Sequence, residues 1–437
     1  MLKAIRLGDL KTVKSLWETT PNQHAIIWAS QYDHLQIVKY LYGAGADVHY
    51  RNDEAIIADS ERGNLSILKY LVSLGVSYKV RNNYPFSIAC EYGHISLAEY
   101  IVSLGANAQS RDNYAIRMAS KNGHLEIVKY LVSLGADFRS QQYYPIQNAS
   151  SGGHLEVVKY LVSLGSDIRQ YNDYAVRKAA CNGHVEVVKY LVSLVANASS
   201  EDEQAFIMAS ENGHIEVVKY LYEVVGSTRY NDAIVKASEN GHLEVVKYLV
   251  SIGADIRSYN DSPVQLAIEN GHLSVIKYLV SLGAEICSNS IIISSANGDY
   301  KIVKYLCDIG LDIHIQNEQS IKLASMYGHL EVVKYLVSHG ADVQIDNNYA
   351  VRCASENGFF DVVRCLFEAG ADISKAPKYQ KYITFSEKMK KKVKERSQKK
   401  IYFWWIPICY DTRRECGKRM MLRNLEKAKE LGLELSN

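Results

Sequence analysis

Apolar positions return along this chain in two alternating registers. In Tyr114-Ala-Ile-Arg-Met-Ala-Ser120, Ala115, Ile116 and Ala119 fall at helical spacing on one face, and small residues there permit close approach of a second helix. Asn122 and Gly123 interrupt the pattern, as turn residues do. Leu125, Val128, Leu131, Val132 and Leu134 then form a second apolar face close to the helical period. Glu126 stands near the start of that helix, where the dipole favours an anion, three residues before Lys129. Gly135 is placed to close the helix as a left-handed C-cap, and Asp137 to Gln142 lead onward through mostly polar residues. The pattern predicts two short helices, a tight turn between them and a polar connection.

The unit repeats. A Gly-His pair, or its aligned substitute, begins at Gly8, Asp33, Gly63, Gly93, Gly123, Gly153, Gly183, Gly213, Gly241, Gly271, Gly298, Gly328 and Gly358. Nine of the twelve spacings are 30 residues, and the others are 25, 28 and 27. One pair of short helices cannot bury its apolar faces alone, so the units are expected to stack into a solenoid. Two irregularities fall together: Val195 stands where a C-cap glycine is expected, and the connection from Glu223 to Tyr230 is two residues short. They predict a change of curvature between about residues 192 and 232.

The segment Asn122-Gly-His-Leu-Glu-Ile-Val-Lys-Tyr-Leu-Val-Ser-Leu-Gly-Ala-Asp137 resembles the second half of the ankyrin repeat, and the likeness recurs over residues 1–374. The resemblance implies an all-α solenoid of about 13 helix-turn-helix repeats that binds partner proteins. The family's Thr-Pro-Leu-His is replaced by segments such as Tyr114-Ala-Ile-Arg117 and Tyr174-Ala-Val-Arg177, and proline survives only at Pro85, Pro145 and Pro263. A 30-residue unit is also about three residues shorter than the family's usual one, which implies short fingers. Near-identical units of this kind resemble the expanded ankyrin repeat proteins of giant amoeba-infecting viruses of the mimivirus type.

Three ladders run through the units. Nine histidines follow the turn position: His34, His94, His124, His154, His184, His214, His242, His272 and His329. A metal needs ligands about 2 Å from one ion, and helices in neighbouring repeats stand roughly 8–10 Å apart, so each histidine is read as holding a turn. Lysines such as Lys129, Lys159 and Lys189 follow Glu126, Glu156 and Glu186 by three residues, which describes a solvated face rather than a nucleic-acid ribbon. Tyrosines such as Tyr100, Tyr130 and Tyr160 come next, read as covering the seams between repeats.

Some positions vary on an otherwise uniform scaffold. Five residues before each turn from the second onward stand Trp28, Ala58, Ile88, Met118, Asn148, Lys178, Met208, Lys236, Leu266, Ile293, Leu323 and Cys353. In the ankyrin pattern this position belongs to the inner helix on the concave side. Trp28, Ile88, Met118, Asn148, Lys178, Met208 and Lys236 are therefore the candidate partner-binding residues.

Charge divides the chain further. From Lys375 to the end there are 18 Lys and Arg against 7 Asp and Glu, whereas the rest holds 32 against 41. An acidic array thus precedes a basic segment, 375–400, expected to be helical, and an aromatic one, 401–437. Ile401-Tyr-Phe-Trp-Trp-Ile-Pro-Ile-Cys-Tyr410 is too apolar to remain exposed, and Trp404 and Trp405 are expected to cap the array or dock a partner. The last unit carries Phe359, Phe360, Cys365 and Phe367 in place of the usual residues, so its open end calls for a cover.

No phosphate-binding glycine loop, nucleophile elbow or His-Glu-x-x-His motif occurs, and no enzyme, cofactor or metal is expected. The eight cysteines are mostly single and far apart, which suits a reducing compartment. Residues 1–13 lack the apolar core of a signal peptide, and no apolar run is long enough for a membrane span. The expected location is intracellular, in host cytoplasm or nucleus if the chain is viral. The leading reading is a scaffold that binds a protein on its concave face. The second is association with nucleic acid through the basic tail.

Overall fold

A computed structural model describes residues 1–194, 202–226 and 228–395. They form 27 α-helices and one 3-10 turn, with no strand among the described residues. Twenty-six of the helices make thirteen consecutive pairs, from Leu2–Arg6 with Leu10–Thr19 to Ile345–Glu356 with Phe360–Glu368. The chain divides into two compact units, Met1–Ser290 and Ile291–Asn437. Pairs one to ten belong to the first unit.

The fifth pair shows why the sequence folds this way. Its first helix, Ser110–Lys121, buries Ala115, Ile116, Ala119 and Ser120. Its second, Leu125–Ser133, buries Ile127, Val128 and Leu131. The buried stripe thus differs from the expected one: Ile127 joins it, while Leu134 is 37% exposed beyond the helix end. The three buried side chains recur at i, i+1 and i+4, which keeps them on one side of a two-turn helix. The second helix ends as expected, with Gly135 at φ 80 and the amides of Gly135 and Ala136 returning to the carbonyls of Val132 and Leu131. In the first unit, successive first helices pack more extensively on one another than successive second helices do. Alanine and serine on the first helices allow that approach.

The connection between pairs departs from a simple polar loop. Asn107 Oδ1 accepts the amide of Gln109 at 2.8 Å, which turns the chain sharply. Ahead of the first helix proper, three consecutive residues then adopt left-handed geometry: Arg111 (φ 55), Asp112 (φ 57) and Asn113 (φ 55). The same triplet occurs at Arg51–Asp53, Arg81–Asn83, Tyr171–Asp173, Tyr259–Asp261, Gln316–Glu318 and Asp346–Asn348. Asn and Asp tolerate this conformation best among residues with a side chain. Their side chains also bind forward: Asn113 Oδ1 accepts the amide of Asp137 at 2.9 Å, and Asn348 Oδ1 that of Asp372 at 2.7 Å. This left-handed turn stands where the family resemblance implied a short finger.

The stretch with the predicted change of curvature lies partly outside the described residues, Val195 included. Within it, the helix Ile215–Val225 has 11 residues where its counterparts usually have 9, and Gly226 ends it at φ 68.

In the second unit, the helix Pro377–Glu395 covers the last pair. Tyr379 is 8% exposed, and the Phe360 ring lies 5.6 Å from its ring and 4.6 Å from that of Tyr382. Lys378 Nζ donates to the Glu356 carbonyl at 2.8 Å. Trp404, Trp405 and the rest of 401–437 lie outside the described residues.

Candidate functional site

The histidine ladder is structural, in a way the sequence did not reveal. Each histidine stands at the start of a second helix, yet in the helices Leu35–Gly43, Ile95–Ser103 and Leu125–Ser133 its side chain makes no capping bond. Where asparagine takes the position, Asn64 Oδ1 does cap, accepting the amides of Ser66 and Ile67 at 2.9 and 3.0 Å. The histidine ring instead reaches into the preceding repeat. Nε2 donates to a carbonyl there in His94 (Glu61), His124 (Glu91), His154 (Lys121), His184 (Ser151), His214 (Cys181) and His329 (Ala296), at 2.8 to 3.0 Å. Because a carbonyl only accepts, the proton sits on Nε2. The ring packs on the preceding turn glycine: a Cβ at Gly123 would stand 2.4 Å from His154 Nδ1. Burial lowers the pKa of His124 and His242.

The other ladders form the opposite, second-helix side of the repeats. Lys129, Lys159, Lys189 and Lys219 pair with Glu126, Glu156, Glu186 and Glu216 at 2.7 to 2.9 Å, all exposed. The tyrosines are half-buried and meet cations of the preceding repeat: Lys39 lies 5.6 Å from the Tyr70 ring and Lys69 5.2 Å from that of Tyr100. Burial raises the phenol pKa at Tyr70, Tyr130 and Tyr248.

Six of the seven candidate binding residues lie half-exposed on first helices: Trp28, Met118, Asn148, Lys178, Met208 and Lys236. Ile88 does not. It is 3% exposed and belongs to the packing between first helices, where an aliphatic side chain is drawn inward. Several of the six are already held. Trp28 stacks on His24 at 5.8 Å, Asn148 Nδ2 donates to the Arg117 carbonyl of the preceding repeat at 3.2 Å, and Lys236 pairs with Glu239 at 2.8 Å. They form a pre-organised row, which limits the ordering cost of binding.

Sequence reasoning missed the neighbours of this row. Tyr84, Tyr114, Tyr144 and Tyr174 begin the packed part of four successive first helices, and arginines lie over several of their rings. The signal was present in the Tyr-x-x-Arg spacing of Tyr114–Arg117 and Tyr174–Arg177.

Among the described residues no group of three or more His, Cys, Asp or Glu is placed to hold a metal ion. No described helix is long and apolar enough to cross a membrane.

A family model described as ankyrin repeats in three copies matches residues 55–142, 86–172, 146–232, 224–290 and 291–376. A model for a single ankyrin repeat matches residues 22–53. No curated protein matches the chain. Ankyrin repeats are generic protein-protein interaction modules, and proteins built of them are generally scaffolds rather than enzymes. With matches spanning well over half its length and helix pairs of the corresponding pattern throughout, this chain belongs to the ankyrin repeat family.

Proposed function

We propose that the chain is a scaffold that binds a partner protein along the face built by its first helices. One observation carries this reading. The position five residues before the turn changes from tryptophan to methionine, asparagine and lysine, while the alanine and serine that follow it hardly change, and its side chains are mostly half-exposed. A second supports it. Where neighbouring repeats approach more closely on one layer, a stack bends toward that layer, and in the first unit the closer layer is that of the first helices. The bend gathers Trp28, Met118, Asn148, Lys178, Met208 and Lys236 onto a concave side. The near-identical units and the Tyr-Ala-Ile/Val-Arg segments support a giant-virus origin, with a host protein as the partner inside the cell.

Affinity purification of the tagged chain with mass spectrometry tests the proposal. A partner recovered by the wild type is expected to be lost on combining Trp28→Ala, Met118→Ala and Lys178→Ala. Unchanged recovery refutes the assignment to this face. The surplus of basic residues after Lys375 favours a second reading, nucleic-acid association. It predicts binding that weakens steeply with salt and disappears on deletion of 378–400.

A further inference from the structure

Tyr84, Tyr114, Tyr144 and Tyr174 occupy the same position in repeats four to seven, thirty residues apart. Cations link or cover their rings. The Arg111 guanidinium is 4.5 Å from the centroid of Tyr84 and 5.1 Å from that of Tyr114, and so bridges two repeats. Arg117 is 5.7 Å from Tyr114 and 6.0 Å from Tyr144. Arg177 and Lys178 lie 5.6 and 5.2 Å from Tyr174. The left-handed turn fixes one of these cations: Arg177 donates to the carbonyls of Tyr171 and Asn172 at 2.6 and 2.9 Å. Arg111 is exposed, and Tyr144 is 45% exposed.

Charge along the first helices sets this stretch apart. The four helices Val80–Glu91, Ser110–Lys121, Ser140–Ser151 and Gln170–Cys181 carry six basic residues against three acidic. The next three, Asp202–Glu211, Tyr230–Glu239 and Ser258–Glu269, carry one against seven. The face therefore changes sign between Cys181 and Asp202. A guanidinium held against a ring keeps the planar fork that takes a carboxylate in two parallel hydrogen bonds. Tyrosine and arginine are also among the residues that most often dominate binding energy at protein interfaces. A polynucleotide running along the face would place its phosphates against the acidic helices that follow, which argues against it.

We propose that the first helices of repeats four to seven bind an acidic peptide segment of the partner. Its carboxylates meet Arg111, Arg117 and Lys178, and its apolar or aromatic side chains lie against the four tyrosines. This inference rests on the first-helix face being the binding face, and it adds the chemistry of the ligand.

The test is fluorescence anisotropy with the full chain and three labelled probes: a peptide alternating glutamate and tyrosine, its lysine counterpart and oligothymidylate. The glutamate peptide is expected to bind most tightly. Arg111→Glu and Tyr144→Ala should each weaken it about tenfold or more, while Lys129→Glu on a second helix leaves it unchanged. Both altered side chains are exposed, and circular dichroism checks that the variants fold. Absence of binding by the glutamate peptide, equal binding by both variants, or preference for oligothymidylate overturns the proposal. If Lys129→Glu alone abolishes binding, the first-helix face itself is refuted. If the first-helix variants lose a partner that does not bind as an acidic peptide, only the inference about ligand chemistry fails.

Discussion

His124 Nε2 donates to the carbonyl of Glu91, 33 residues earlier, at 3.0 Å, so a side chain at the head of one second helix closes the turn of the pair before it. Six such bonds are described, each crossing a seam between repeats. In a stack where each repeat touches only its neighbours, seam bonds decide how cooperatively the units unfold.

His124→Ala should therefore cost more than its own bond. The lost hydrogen bond is worth about 1 kcal/mol, and the space vacated beside Gly93 adds to it. Urea unfolding should show a lower midpoint and a broader transition as the seam weakens. An unchanged transition in the variant would show that the histidine contributes nothing to coupling.

Acid should act through the same residues. Burial holds the pKa of His124 and His242 below the ordinary 6.5, so the unfolded chain binds protons that the folded one resists. Their stabilising contribution is present above about pH 6.5 and is lost as the pH falls through the folded values. The melting temperature should fall as the pH is lowered past that point, and less so in the His124→Ala, His242→Ala double variant.

Asp59 works in the opposite sense. It is fully buried where most repeats have alanine, its two carboxylate oxygens have no hydrogen-bond partner, and burial, reinforced by Asp33, pushes its pKa up to about 8 from 3.8. While it is protonated in both states the group adds no ionisation penalty, only the cost of a buried polar group without a partner. Between pH 3.8 and about 8 the unfolded chain ionises first, so stability declines as the pH rises through this range. Asp59→Ala should raise the melting temperature, by more above about pH 8 than near pH 4. Equal gains at both would show that the carboxyl titrates normally.

The left-handed turns make a separate prediction. Asn113→Val places a β-branched residue at φ 55 and removes the acceptor for the Asp137 amide. Together these should cost about 2–3 kcal/mol. Asn113→Gly relieves the backbone and loses only the hydrogen bond, so it should cost about 1 kcal/mol. If the two variants melt alike, the conformation at residue 113 is not left-handed in solution.

The end of the array can be divided by truncation. Ending the chain after Ala376 removes Tyr379 and Tyr382 from the Phe360 ring and should lower the melting temperature and promote aggregation. Ending it after Glu395 keeps that cover and removes Trp404 and Trp405. A loss of stability in the Glu395-ended chain relative to the full chain assigns the two tryptophans to capping, and its absence leaves them for docking.

Much of the fold was legible because the helical period, the turn glycines and the 30-residue repeat all reinforce one pattern. Gly123, Gly135 and the buried Ala115, Ala119, Val128 and Leu131 stand where that pattern placed them. The bond from His124 to Glu91 was not legible, because it joins positions related only by how repeats stack. The left-handed triplet was written as Arg111-Asp112-Asn113, yet a polar run before a helix looks the same as an ordinary loop. Ile88 was misjudged because position within a repeat does not reveal which side chains the neighbouring helix covers.

Recognition is proposed to lie on the first helices. Surface plasmon resonance with a recovered partner tests it most directly, comparing the Trp28→Ala, Met118→Ala, Lys178→Ala variant with a second-helix variant carrying Lys129→Glu, Lys159→Glu and Lys189→Glu. The first variant is expected to lose affinity by about a hundredfold or more while the second binds like the wild type. Full affinity in the first and loss in the second would contradict it.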